Sequence, residues 1–482
     1  MSSYPGRLSS GLPALDDVLN GGLIPGASYL IRGGPGQGKT TLGCHFLSSV
    51  GTRGAALFIG FQEPEDQLRT NAEAVGIDVS NVTFLSLAPD ERFFTDQQGY
   101  DVFAAADVEQ EPLAEAVTAA MERSNPSHVF VDSMTQLRFL SSDLYQYRKQ
   151  VLSLLRYFRD RGATVLFTSE RSSEISDEDL QFIADGVITL DVASSGSFLE
   201  VSKFRGSGFM RGAHQMRVGG SGLELFPCRL PPRSNKVEDE RWRYATGVTK
   251  IDEMLYGGLE AGTISLITGP SGVGKSTLAS LFATHAAEQG RKSAFYLFEE
   301  EQSSLLYRAS SLAIPLKKFM DSGLVAVQQV EPLRYLADEF ASMVHSKVEA
   351  EGVELVILDS IAGFELVLGE GEQTKSALHA FAKGLSRRGI SVILVNEIEA
   401  LTGQFRISEK GISYLSDNVI FLRFMEADGE LKKSIGVLKK RLSPFDSKMY
   451  TYQIAAPGFR LDESVAAQGL QGVLDGQQVV ND

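Results

Sequence analysis

The chain has 482 residues, 43% of them hydrophobic and 22% charged, a composition that suits two large or three small globular domains and excludes wholesale disorder. Its formal charge of −15 argues against a general affinity for phosphate backbones, and no segment approaches the apolar length that crosses a bilayer. No apolar leader stands in "MSSYPGRLSSGLPALDD", so the cytoplasm is the expected compartment; Cys44 and Cys228 fall in different predicted domains, so neither a disulfide framework nor a zinc cluster is expected.

In chain order, "SYLIRG", "AALFIGF", "VTFLSL", "HVFVDS", "TVLFTS" and "GVITLDV" read as buried strands. Amphipathic patterns such as "KQVLSLLRYFRDRG" separate several of them, which is how a mainly parallel sheet covered by helices appears in sequence. At 227–245 two adjacent prolines and a run of charges interrupt the periodicity, and the segment reads as a linker. The strand series then begins again with "ISLITG", "SAFYLF", "LVAVQQV", "LVILDS", "SVILVNE" and "NVIFLRF". Residues 10–42 align with 246–278 without a gap, and Gly11, Asp16, Gly21, Gly22, Gly33, Gly36, Gly38 and Lys39 each meet an identical residue 236 positions later. The fold class is therefore α/β, with two similar domains in tandem at 1–226 and 246–455 and a short tail at 456–482.

Each copy carries one phosphate loop between a strand and a helix, "GGPGQGKT" at 33–40 and "GPSGVGKS" at 269–276. Glycines let successive backbone N–H groups turn inward around a triphosphate, and the helix behind adds the positive end of its dipole. Nucleotide-binding candidates are Gly36, Gln37, Gly38, Lys39, Thr40 and Thr41 in the first copy, and Gly272, Val273, Gly274, Lys275, Ser276 and Thr277 in the second. Lys39 and Lys275 are placed to reach the β- and γ-phosphates of ATP; the hydroxyls of Thr40 and Ser276 suit Mg²⁺, joined by Asp132 and Asp359 at strand tips.

This combination, a "GGL.PG" lead-in, a phosphate loop, an acidic pair after the next strand, "VDS" or "LDS", and a late K-x-R, resembles the KaiC family of the RecA-like ATPases. The likeness runs from about residue 7 to about 455, and "TSERSSE" at 168–174 and "KFRGSGFMRG" at 203–212 are its most specific stretches. It implies a homo-hexameric ring with ATP between neighbouring subunits, hydrolysis mainly in the first tier and autophosphorylation in the second. It also implies that Lys203 and Arg205, and Lys439 and Arg441, reach the ATP of the adjacent subunit, where cations stabilise charge developing in transfer. The second copy departs from the pattern, with Leu442 where the first has Gly206. Ser413 falls on the first of two adjacent positions that carry phosphate in the clock members, while Tyr414 breaks the Ser-Thr pattern, so a single phosphosite is expected and a circadian oscillator is not inferred.

In the acidic pair the second copy has Glu299 and Glu300, and the first has Gln62 and Glu63. An amide orients a water but takes no proton, and removing a general base costs about 10²- to 10⁴-fold in rate. The first domain is thus expected to bind ATP well and hydrolyse it slowly, unless Glu63 alone serves. Two other functions compete: a RecA/RadA-like DNA-dependent ATPase, opposed by the acidic charge and the lack of an evident aromatic-and-basic loop, and a nucleotide-gated scaffold that shows a regulatory protein partner an ATP-dependent surface.

Overall fold

The structure, a computed structural model, describes residues 6–51, 54–87, 110–139, 141, 143–170, 176–193, 196–228, 242–368, 372–398, 414–427 and 430–464. The chain divides into two compact units, Met1–Cys228 and Arg229–Asp482.

In the first unit nine strands form one sheet in the order β3-β2-β4-β5-β1-β6-β7-β8-β9. They are β1 (Ser28–Gly33), β2 (Ala56–Gly60), β3 (Val82–Ser86), β4 (His128–Asp132), β5 (Thr164–Glu170), β6 (Gly186–Ala193), β7 (Gly196–Phe204), β8 (Ala213–Gly219) and β9 (Gly222–Phe226). From β3 to β6 the pairing is parallel, and from β6 to β9 antiparallel. Three helices matter for the site that follows: α1 (Pro13–Val18), α2 (Lys39–Ser48) behind β1, and α3 (Glu65–Ala74) behind β2.

The apolar runs of the central strands are continuous because both faces are covered, and successive side chains go to opposite sides. Tyr29, Ile31, Phe58 and Phe130 join one core with Leu42 and Phe46 of α2; Leu30, Leu57, Ile59, Val129 and Val131 join the other with Val151, Leu155 and Phe158 of the helix Leu144–Asp160.

The second unit repeats the plan. After a two-stranded ribbon of β10 (Arg243–Tyr244) and β11 (Leu259–Glu260), its sheet runs β14-β13-β15-β16-β12-β17-β18-β19-β20. These are β12 (Ile264–Gly269), β13 (Ser293–Leu297), β14 (Val325–Gln329), β15 (Leu355–Asp359), β16 (Ser391–Glu397), β17 (Asn418–Ala427), β18 (Glu430–Lys440), β19 (Tyr450–Ile454) and β20 (Phe459–Ser464).

Six strands per copy are expected from the sequence, and all twelve form. The three antiparallel strands that extend each sheet are additional; with one face solvated they alternate, as Leu199, Glu200, Val201 and Ser202 do in β7, and lack the continuous apolar runs of the central strands. β10 falls within the stretch read as a linker, and β20 within the stretch read as a tail. β20 returns through a turn with Gly458 at φ +100°, and its Phe459 is buried against Tyr452 with ring centroids 4.8 Å apart.

Two paired differences separate the units. Phe204 stacks on Tyr29 at 5.6 Å beside the partly buried Ile24, whereas the matching positions hold Lys440 and Glu260, a buried ion pair at 2.9 Å. A Cβ on Gly43 would come within 2.2 Å of the Phe130 ring; the counterparts are Ala279 and Ile357, both buried in one core.

Breaking a buried pair by removing one partner costs about 3–5 kcal/mol, while replacing both with apolar groups is often neutral or stabilising. Lys440→Ala should therefore destabilise the second unit by about 3–5 kcal/mol, and Glu260→Ile with Lys440→Phe should restore most of it. Denaturant unfolding followed by the fluorescence of Trp242, the single tryptophan, measures both.

Candidate active sites

Each phosphate loop sits where a central parallel strand ends and a helix begins. β1 ends at Gly33 and α2 starts behind Gly38, held at φ +89°; β12 ends at Gly269 and the helix Lys275–Glu288 starts behind Gly274, at φ +106°. These left-handed conformations favour glycine, and at Gly274 a Cβ would also come within 2.5 Å of Ile454. Gly36 and Gly272 take the same left-handed region, at φ +71° and +75°.

The two lysines are held differently. Lys39 donates through Nζ to the carbonyls of Gly33 (2.8 Å) and Gly34 (2.7 Å), while the Gln37 Oε1 accepts from the Gly34 N–H at 2.6 Å. Burial pushes the Lys39 ammonium below its usual range, opposed by the charges of Asp132 and Glu170. Lys275 donates to the Pro270 carbonyl (2.8 Å) and to Glu397 Oε2 (3.3 Å). Val273 and Thr277 are buried in the second loop, and Thr41 occupies the matching place in α2.

Thr40 Oγ1 donates to Asp132 Oδ2 at 2.6 Å, and Thr168 donates to the other oxygen at 2.5 Å. In the second unit Ser276 hydrogen-bonds Asp359, whose Oδ2 is buried without a partner among the described residues. Burial, with the Glu300 charge adding to it, outweighs the Ser276 hydrogen bond and the Arg308 and Lys275 charges, and the Asp359 carboxyl is pushed up to about 6. A hydroxyl beside a carboxylate, with one oxygen unclaimed, fits Mg²⁺, a hard ion that takes few protein ligands and keeps water and phosphate oxygens.

The sheet register settles which acidic residues correspond. Gly60 pairs with Asp132, and Leu297 pairs with Asp359, so Gln62 matches Glu299 and Glu63 matches Glu300. Glu299 Oε1 accepts from Ser360 Oγ at 2.6 Å. Gln62 instead donates to Glu170 at 3.4 Å, and Ser133, the counterpart of Ser360, keeps a buried hydroxyl without a partner among the described residues.

Two cations at the second site were not among the sequence candidates. Arg308, on the helix Gln302–Ser311, grips Glu300 through two hydrogen bonds of 2.6 and 2.8 Å, and Lys433 on β18 donates to the Gly272 carbonyl at 3.0 Å. Both line a cleft of about 420 Å³ with Lys275, Ser276, Glu299 and Asp359. Comparing the helices position by position would have found Arg308, because Asn71 stands at its place in α3.

The K-x-R residues lie elsewhere. Lys203 pairs in register with Val187, and the adjoining Gly186 pairs with Tyr29 at the start of β1, four residues from its phosphate-loop end. At about 3.3 Å per residue this is roughly 13 Å along the strand, on the opposite edge of the sheet. Lys203 donates to the carbonyls of Gln181 (2.7 Å) and Phe182 (3.2 Å), and Arg205 lies 3.6 Å from Asp185. Lys439, opposite Val419 near the start of β17, donates to the Ser416 carbonyl at 2.6 Å, and Arg441 lies 3.4 Å from Asp417. Neither K-x-R meets the phosphate loop of its own unit. Gly206 leaves β7 at φ +85°, whereas Leu442 has no positive φ, so the two turns differ as the substitution suggests. Ser413 lies outside the described residues; its neighbour Tyr414 stacks on His379 with centroids 6.2 Å apart.

Among the described residues no helix is long and apolar enough to cross a membrane.

Because Asp359 binds its proton more tightly folded than unfolded, ionising it opposes folding: the second unit should lose stability as pH rises from about 4 through about 6. Asp359→Asn should remove that pH dependence and raise the metal-free melting temperature at pH 8 by several degrees, about 2–4 °C per kcal/mol gained. The same variant should lose the stabilisation that Mg·ATP gives the wild-type second unit; melts with and without Mg·ATP test both halves.

A family model described as "ATPase: KaiC" matches the chain twice, over residues 8–229 and 244–465. Curated relatives align over nearly the whole length. The chain is 26% identical over 479 residues to the circadian clock oscillator protein KaiC of Prochlorococcus marinus (strain MIT 9313), covering 95% of this chain and 93% of the relative. It is 26% identical over 490 residues to the protein of that name from Parathermosynechococcus lividus, covering 98% and 87%, and 25% identical over 481 residues to that of Synechococcus elongatus, covering 95% and 89%.

Proposed function

The chain belongs to the KaiC family of ATPases, and on that premise we propose that it binds and hydrolyses ATP as a ring of six subunits, with autophosphorylation on Ser413 in the second domain, and acts as a nucleotide- or phosphorylation-dependent switch for a regulatory protein partner. The observation that carries this reading is the placement of the K-x-R pairs on the sheet edge opposite the phosphate loops, in both units. A cation so placed cannot serve its own chain's nucleotide, and it gains a function when a neighbour presents its phosphate loop. The ends of Lys203 and Arg205 are already gathered at the carbonyl of Phe182.

On this reading the phosphate loops cradle the triphosphate and Lys39 and Lys275 turn from loop carbonyls to the phosphates. Thr40 with Asp132, and Ser276 with Asp359, would hold Mg²⁺, which supplies charge neutralisation on the phosphate oxygens. In the second domain Glu299, held by Ser360, takes the proton of the attacking hydroxyl or water. In the first domain Gln62 orients the water, and Glu63, whose Oε2 accepts from Asn71 at 3.3 Å, is the remaining proton acceptor. The chain's acidic charge speaks against the alternative of a DNA-dependent ATPase.

Subunit mixing tests the trans arrangement. Lys39→Ala and Lys203→Ala/Arg205→Ala chains should each lose first-domain turnover, and co-assembled rings should regain part of it because some interfaces are then intact. No recovery in mixed rings, or a chain that stays monomeric with ATP, would overturn the proposal. Mass spectrometry after incubation with Mg·ATP should find phosphate on Ser413; rings that turn over ATP unmodified would reduce the function to hydrolysis. Gln62→Glu should raise first-domain turnover by about 10²-fold, the low end of what a general base contributes, because Glu63 already offers one proton acceptor.

A further inference from the structure

The second nucleotide site differs from the first by a matched pair of charges. Where the first site has Gln62 and Asn71, both neutral, the second has Glu299 and Arg308, one of each sign, at positions equated by the strand register and by the two helices. Arg308 spends its charge on Glu300, gripping both carboxylate oxygens at 2.6 and 2.8 Å. Without it the cleft would hold Glu299, Glu300, Asp359 and Glu397 against Lys275 and Lys433. Two adjacent glutamates would then stand in the cleft without a paired cation, where the first site has one, Glu63.

We propose that Arg308 is a specificity-determining residue of the second site: by neutralising Glu300 it lets a cleft with two adjacent glutamates accept the γ-phosphate of ATP. The bidentate grip fixes the guanidinium as well as the charge, so Glu300 is drawn toward the helix Gln302–Ser311 while Glu299 is held separately by Ser360. The first site needs no such clamp, because Gln62 brings no second charge and the Glu63 carboxylate accepts from the neutral Asn71 amide. The inference rests on nucleotide binding to the second domain, as in the function proposed above, but not on hydrolysis, phosphorylation or ring size.

Equilibrium binding of radiolabelled Mg·ATP and Mg·ADP to the full chain, with the first site blanked by Lys39→Ala, tests it. Restoring one unpaired carboxylate charge near the γ-phosphate should weaken ATP binding by about tenfold or more and ADP binding by less than about threefold, because ADP lacks the group that is repelled. Arg308→Asn should show this selective loss, and Arg308→Lys, which keeps the charge but loses the two-bond grip, should recover only part of the lost ATP affinity. Adding Glu300→Gln to Arg308→Asn should restore ATP affinity, a rescue that a merely structural arginine would not give. Equal losses for ATP and ADP, or a double variant as weak as Arg308→Asn, would overturn the inference alone. A parent that binds neither nucleotide would overturn the nucleotide-binding reading and this inference with it.

Discussion

The parallel register of the central strands is the constraint on which the rest depends. Because β2, β4, β5 and β1 run the same way, their C-terminal ends meet at one edge, and Gly60, Asp132, Glu170 and Gly33 follow each other across it. The second sheet does the same with Leu297, Asp359, Glu397 and Gly269. Loops leaving such an edge bring the phosphate cradle, the strand-tip carboxylate and the acidic pair within reach of one ligand. Continuous apolar runs on both faces hold the register, since a slip of one residue would exchange the two cores.

Much of this was legible in the sequence because the signals are local. Strand, glycine-rich turn and helix are contiguous in each phosphate loop, and Asp132 and Asp359 each end an apolar run. The repeat supplied correspondence for free. What stayed hidden depends on contacts that no local pattern announces. Arg308 is an ordinary helical residue until the turn after Glu300 brings it back against that carboxylate eight positions away, and Lys433 reaches Gly272 across 161 positions. The antiparallel strands were hidden for another reason: residues such as Glu200, Ser202 and Arg217 face solvent, so β7 and β8 lack the continuous apolar runs that mark the central strands. β20 was lost to its turn, where Pro457 and Gly458 suggest an ending and in fact make a hairpin.

The comparison of Gln62 with Glu299 also gains a partner from the structure. In sequence it is a difference in proton-accepting capacity. In the fold each side chain belongs to a network: Glu299 accepts from the Ser360 hydroxyl, whereas Gln62 donates to Glu170 and the Ser133 hydroxyl has no partner among the described residues. The first member of the acidic pair, the hydrogen bonding of the serine after the strand-tip aspartate and the residue eight positions beyond the second acid therefore differ together between the two sites.

Such coupling reaches into the core. The fit of Gly43 against Phe130 in one unit, and of Ala279 against Ile357 in the other, joins the helix behind each phosphate loop to the strand that carries its aspartate. Tandem copies within one gene are open to sequence exchange, which would homogenise them. Here an exchange that moved the helix segment without the strand would set an alanine methyl against the phenylalanine ring, or leave a void beside isoleucine. Packing of this kind penalises a partial exchange between the two halves, so the helix and the strand would have to move together.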